Sequence, residues 1–141
     1  MLVFHTPGHS PGSISLLMHS EGALFSGDVI PIVGDLPVYD DALESMRSVK
    51  RLRGITGVRV LLPAWAEPAR GVGAYRQMDL AVEYLQAIHE AVLAGADTSS
   101  PDLMELTRKA AATIGLHPSA VNPLLARTFA ANLRVRDHKS L

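Results

Sequence analysis

The sequence divides into two halves with different residue patterns, and this division limits the fold to a mixed α and β class. Residues 1 to about 70 combine short β-like runs with glycine and proline, whereas residues 75 to 135 are rich in alanine and leucine at helical spacing. A chain of 141 residues makes one domain, or one domain with a small appendage. We therefore predict an α/β (α+β) chain with a first unit over residues 1–72 and a helical region over residues 73–141.

The first half has the pattern β-β-β-α-β. Short apolar or alternating runs predict the four strands, at residues 2–4, 13–18, 23–25 and 58–62. The helix is predicted to start at Asp40 or Asp41 and to stop at Gly54, and its acidic start and basic end complement the helix dipole. Its apolar positions recur at helical spacing: Leu43, Met46, Val49 and Leu52.

Three helices are predicted in the second half. The first is long and ends near Gly95, and we interpret its His89 as a flanking or surface histidine. Ser100-Pro101-Asp102 predicts the start of the second helix, which stops near Gly115. Asn122-Pro123 predicts the start of the last one.

Composition excludes several classes of protein. The chain has no cysteine, so disulfides, thiolate nucleophiles and cysteine metal sites are ruled out. A net charge of −1 provides no general attraction to nucleic acid or membrane, and no apolar run approaches a membrane span. We expect a cytoplasmic protein without a membrane or nucleic-acid partner. The last helix is mostly alanine, leucine and proline, with few groups able to read base edges, so the basic residues of the tail do not change this. Those residues are Arg108, Lys109, Arg127, Arg134, Arg136 and Lys139.

The most informative stretch for function is residues 5–12, HTPGHSPG. Its glycines and prolines hold His9 in a loop just beyond a strand, where an imidazole is available as a metal ligand. Asp28 follows another strand in the segment FSGD, and aspartate suits the same role. From spacing alone, two loop residues fit either a metal site or ordinary loop hydrogen bonding.

Taken together, HTPGHSPGSISLL, LFSGD, a capped helix and VRVLLPAWAEP resemble the C-terminal half of the metallo-β-lactamase superfamily. The resemblance covers residues 1 to about 70 and implies half of an αβ/βα sandwich, followed here by a small helical region. It implies a site for one or two metal ions, usually zinc and in some members iron or manganese. By resemblance His9 is a metal-ligand histidine and Asp28 is the bridging aspartate, whereas His5 matches a residue that is not normally a ligand.

Two departures from the family pattern affect the expected activity. The HxHxDH signature of the N-terminal half is absent, and Trp65 stands where the family's last ligand histidine is usual. Indole has no lone pair for a metal, and it could instead fill the metal cavity. We therefore expect a truncated, catalytically impaired family member with at most weak metal binding through His9 and Asp28, and without catalytic residues of its own.

Two other functions stay open. The first is a metal-dependent hydrolase completed by homodimerisation or by a separate N-terminal half, because half a sandwich leaves a sheet face uncovered. Its small-molecule substrate would be an ester, thioester, lactam or phosphodiester, attacked by metal-bound hydroxide. The second is a non-enzymatic interaction module that uses the helical tail. We expect a homodimer, with a helical half folded over the sheet as the alternative.

Overall fold

The computed structural model describes residues 1–96 and 102–141, and it has the predicted mixed α/β architecture. The strands form one sheet in the order β1-β2-β3-β4-β5. Strands β3 and β4 are parallel, and the other neighbours are antiparallel. The strand bounds are β1 Leu2–His5, β2 Ile14–Met18, β3 Ala23–Gly27, β4 Val60–Pro63 and β5 Ala69–Arg70.

The helices lie where the apolar spacing predicts them. Helix α1 connects β3 to β4, and the other helices follow the sheet in the chain. Their bounds are α1 Ala42–Arg53, α2 Val72–Ala96, α3 Leu103–Thr113 and α4 Pro123–Leu133, with a short 3₁₀ helix at Pro118–Ala120. None of the helices in the described ranges combines the length and hydropathy that a transmembrane span needs.

Capping interactions fix both ends of helix α1. Asp41 is the N-cap, and its carboxylate accepts a hydrogen bond of 2.9 Å from the amide of Glu44. Gly54 is the C-cap, and its amide donates to the carbonyl oxygen of Lys50 at 3.1 Å. The predicted start and stop of this helix are therefore confirmed, with Asp41 rather than Asp40 as the cap.

Two elements differ from the sequence prediction. Strand β5 has only two residues, too few for a periodic signal, and it pairs with β4 at the edge of the sheet. Helix α3 is capped by Asp102, whose carboxylate accepts from the amide of Met104 at 3.1 Å. Ser100 and Pro101, which predict the start of that helix, lie outside the described residues.

The two faces of the sheet have different surroundings. On the inner face, the paired residues Leu17, Leu24 and Leu61 are buried in one core with α1 and α2. On the outer face, Val3 pairs with Leu16, which pairs with Phe25. Val3 is 58% exposed and Phe25 is 45% exposed. Helices α1 and α2 therefore cover one face of the sheet, and an apolar outer face is left open to solvent.

His89 is not a surface residue, and that interpretation is wrong. The ring is fully buried, with Nδ1 3.1 Å from the side-chain oxygen of Asn132 and Nε2 2.7 Å from the carbonyl oxygen of His138. The N-terminal part of α2 shares a core with α1, whereas its C-terminal part shares a second core with α3 and α4. A position beside its main apolar stripe is therefore covered by α4 and the C-terminal residues.

Candidate functional site

The loop between β1 and β2 is tied to the start of α1. The amides of Asp40 and Asp41 both donate to the carbonyl oxygen of Gly8, at 2.8 and 3.1 Å. Ser48 donates from its hydroxyl to the carbonyl oxygen of Pro7 at 2.7 Å. Gly8 has φ of 136°, and a Cβ built there would lie 2.3 Å from Oγ of Ser45. Only glycine allows the loop to approach the helix this closely.

This loop gives His9 a fixed ring orientation. Its Nδ1 lies 2.8 Å from the carbonyl oxygen of Val38. Because a carbonyl only accepts hydrogen bonds, Nδ1 carries a proton, and in the neutral ring Nε2 is the nitrogen with the free lone pair. Histidines that bind metals are commonly oriented by such a hydrogen bond from the second ring nitrogen.

Asp28 and Trp65 meet because each follows the carboxyl end of one of two adjacent parallel strands. Asp28 comes directly after β3, and Trp65 is two residues beyond β4. The amide of Ala64 donates to the carbonyl oxygen of Gly27 at 3.0 Å, which holds the two strand ends together. The indole N–H of Trp65 donates to the carboxylate of Asp28 at 2.5 Å.

His9, Asp28 and Trp65 line the same cavity, which has a volume of about 630 Å³. The structure therefore brings the two predicted ligands to one site. Trp65 is 81% exposed, so its indole stands at the edge of the cavity and does not fill it. His5 is not among the lining residues, and its Nε2 lies 2.8 Å from the carbonyl oxygen of Pro11.

The donor set of this site does not fit a catalytic metal centre. Such a zinc site generally takes three protein ligands and leaves a further position for water. In residues 1–96 and 102–141, no group of three or more histidine, aspartate or glutamate side chains is arranged to hold a metal ion. His9 and Asp28 provide two donors, and one oxygen of Asp28 already accepts from Trp65.

Three polar residues of the cavity were missed by the sequence reasoning: Asp35, Tyr39 and Ser45. The glycine- and proline-rich loop before α1 marks the region but not which side chains face the cavity. Burial raises the pKa of Tyr39 well above its ordinary value. The hydroxyl of Ser45 is buried and has no hydrogen-bond partner within the described chain.

The basic residues of the tail contribute to its packing against the first half. Arg127 pairs with the carboxylate of Asp40 at 2.8 Å, and Arg134 donates to the carbonyl oxygen of the same residue at 2.5 Å. Lys109 pairs with Glu105 within α3 at 2.9 Å. The two arginine contacts connect α4 to the residue just before the N-cap of α1.

Residues 1–65 match the family model of the metallo-beta-lactamase superfamily. Among solved structures, the chain is similar to a metallo-beta-lactamase family protein from Thermus thermophilus, with a TM-score of 0.67 and 23% identity. That likeness covers 96% of this chain, so it includes the helical region, and the chain spans 44% of the Thermus protein. No curated protein matches the chain significantly.

The order of the motifs along the chain agrees with these findings. The match over residues 1–65 contains the loop with His9, the strand end with Asp28, and Trp65. Proteins of this superfamily usually bind metal ions. Residues 1–65 thus match the sequence pattern of the metallo-beta-lactamase superfamily, and the chain has the fold of the matched part of a metallo-beta-lactamase family protein.

Proposed function

We propose that this chain is a metallo-β-lactamase-like protein that does not assemble a catalytic metal centre from its own residues. It binds zinc, or iron or manganese, at most weakly through His9 and Asp28, and it is catalytically impaired as a hydrolase when alone. The observation that carries this proposal is the hydrogen bond from Trp65 to Asp28. It joins a residue that is not a metal ligand to one of the two available donors.

The fixed orientation of His9 supports weak binding rather than none. With Nδ1 bonded to the carbonyl of Val38, Nε2 is the nitrogen left for a metal ion. A single imidazole and a single carboxylate still fall short of three ligands, so a bound ion would keep water at most of its coordination positions.

Elemental analysis of the purified chain tests this proposal. After incubation with zinc, iron or manganese and gel filtration, we expect far less than one ion per chain and no hydrolysis of ester, thioester, lactam or phosphodiester probes. The weak zinc binding seen by titration should fall further in His9→Ala and stay unchanged in His19→Ala, a matched variant of an exposed histidine. Near-stoichiometric metal with hydrolysis would contradict the proposal.

A second candidate function is a working metal-dependent hydrolase completed by a second copy of the chain. The apolar outer face of the sheet favours it, because Val3, Ile14 and Phe25 are 58%, 52% and 45% exposed on neighbouring strands. Contiguous apolar surface of this kind typically marks an interaction site. Two copies that pack these faces together would form a two-sheet sandwich with closed two-fold symmetry.

Light scattering after gel filtration tests the pairing. We expect a dimer of the 15.1 kDa chain that Phe25→Glu converts to a monomer. Val72→Glu is the matched control, because Val72 is apolar and 85% exposed but lies on helix α2 and not on a strand. A monomeric wild-type chain, or an equal effect of both variants, would contradict the second-copy proposal.

A further inference from the structure

The cavity beside His9 has a lining that selects among ligands by charge. Six aliphatic side chains and three prolines form most of its wall. A cavity of about 630 Å³ with such a wall and a few polar groups has the size and character of a small-molecule site. An apolar wall makes the burial of a hydrocarbon body the main source of affinity.

The carboxylates of the lining have no lysine or arginine counterpart, and His9 is the one imidazole among the described lining residues. Asp28 and Asp35 face the cavity, and none of the described residues that line it is a lysine or an arginine. A phosphate or carboxylate group placed there would meet like charges without a lysine or arginine partner. An ammonium group placed there would instead be attracted by the two carboxylates.

The start of α1 does not offset this negative field. A helix N-terminus attracts anions through free amide groups. Here the amides of Asp40 and Asp41 bind the carbonyl of Gly8, and the amide of Glu44 binds the carboxylate of Asp41. Three amides at this end therefore already have acceptors, and the cap itself is negatively charged.

The unpartnered hydroxyl of Ser45 is a second, independent indication of a polar ligand group. Ser45 lines the cavity and is only 6% exposed, yet its Oγ has no hydrogen-bond partner in the described chain. A buried hydroxyl without a partner costs free energy that a ligand donor or acceptor would recover.

We propose that this cavity binds a small amphiphilic molecule with an apolar body and a head group without negative charge, a primary ammonium being preferred. This proposal rests on the proposed function, since His9 and Asp28 line the same cavity. Of the ester, thioester, lactam and phosphodiester classes, this head-group preference excludes phosphodiesters and favours uncharged or cationic compounds.

The single tryptophan provides the test, because Trp65 lines the cavity. Its fluorescence is followed while hexylamine, hexanol or hexanoate is added to the full chain at neutral pH with a metal chelator present. We expect hexylammonium to bind about tenfold or more tightly than hexanoate, with hexanol between them. Equal or tighter binding of hexanoate, or no saturable response to any of the three, would overturn the inference.

Two matched variants separate a cavity effect from general charge. Asp35→Asn should reduce the preference for hexylammonium severalfold, whereas Asp137→Asn, an exposed carboxylate in the tail, should not. Equal effects of both variants would also overturn the inference. Hydrolysis with stoichiometric metal would contradict the proposed function alone, since the head-group preference is measured without metal.

Discussion

The indole of Trp65 and the carboxylate of Asp28 form a hydrogen bond of 2.5 Å across the ends of two parallel strands. By resemblance, both residues occupy ligand positions of the metallo-β-lactamase family. Here the indole N–H of Trp65 donates a hydrogen bond to one oxygen of the Asp28 carboxylate. The contact links Trp65 directly to one of the two predicted metal donors.

Replacing Trp65 by histidine should strengthen metal binding. The variant Trp65→His removes the indole from Asp28 and adds a third donor near His9. We expect zinc affinity to rise by at least about tenfold, close to 1.4 kcal/mol, as measured by calorimetric titration.

The control for this prediction is Trp65→Phe, which also releases Asp28 but adds no ligand. It should raise zinc affinity far less than Trp65→His. The gain should disappear when His9→Ala is combined with Trp65→His. An equal gain in the phenylalanine and histidine variants would show that release of Asp28, and not a third ligand, is responsible.

The second prediction concerns the loop that carries His9. The variant Gly8→Ala should lower the free energy of unfolding by roughly 3 kcal/mol, because residue 8 has a positive φ and a Cβ there would lie within 2.6 Å of Ser45. Gly12→Ala is the matched control in the same loop, since nothing lies within 4 Å of its Cβ. Urea unfolding of both variants measures the difference, and similar losses would contradict the argument.

Much of the first half could be predicted from local patterns. Alternation, turn residues and helix capping are short-range signals, and they correctly predict the β-β-β-α-β order and the caps Asp41 and Gly54. The meeting of Asp28 with Trp65 depends on the parallel pairing of β3 with β4, and the family resemblance indicated that region without indicating the hydrogen bond.

The errors concern contacts between distant segments. Asp35 and Tyr39 line the cavity because of how their loop folds, which periodicity does not describe. His89 is buried by α4, where it contacts Asn132, a residue 43 positions further along the chain. A histidine at the edge of an apolar stripe gives no local sign that another helix covers it.

The third prediction tests the buried histidine. In His89→Leu, the side-chain oxygen of Asn132 and the carbonyl oxygen of His138 lose the imidazole ring as their polar contact inside the protein. Asn132 cannot simply rotate its amide, because its nitrogen already donates to Tyr39 and to the carbonyl of Thr128. We expect a loss of about 2–4 kcal/mol in the free energy of unfolding.

His19→Leu is the comparison for this variant, because His19 is exposed in the turn after β2. Its free energy of unfolding should change by no more than about 0.5 kcal/mol. Chemical denaturation followed by circular dichroism measures both values. A stable His89→Leu protein would mean that these polar groups find other partners, and the interpretation of this network would then be wrong.

The fourth prediction concerns alkaline pH. Burial raises the pKa of Tyr84 from 10.0 to about 12, and burial also raises the pKa of Tyr39. Because the folded state holds these phenolic protons more tightly than the unfolded state, their contribution to stability is complete below pH 10 and is lost as the pH rises towards 12. Urea unfolding at a series of pH values, with tyrosinate absorbance recorded in parallel, should show the free energy of unfolding falling across this range. In Tyr84→Phe the fall should be smaller, since one of the two protons is no longer present, and an unchanged slope would contradict the assignment to Tyr84.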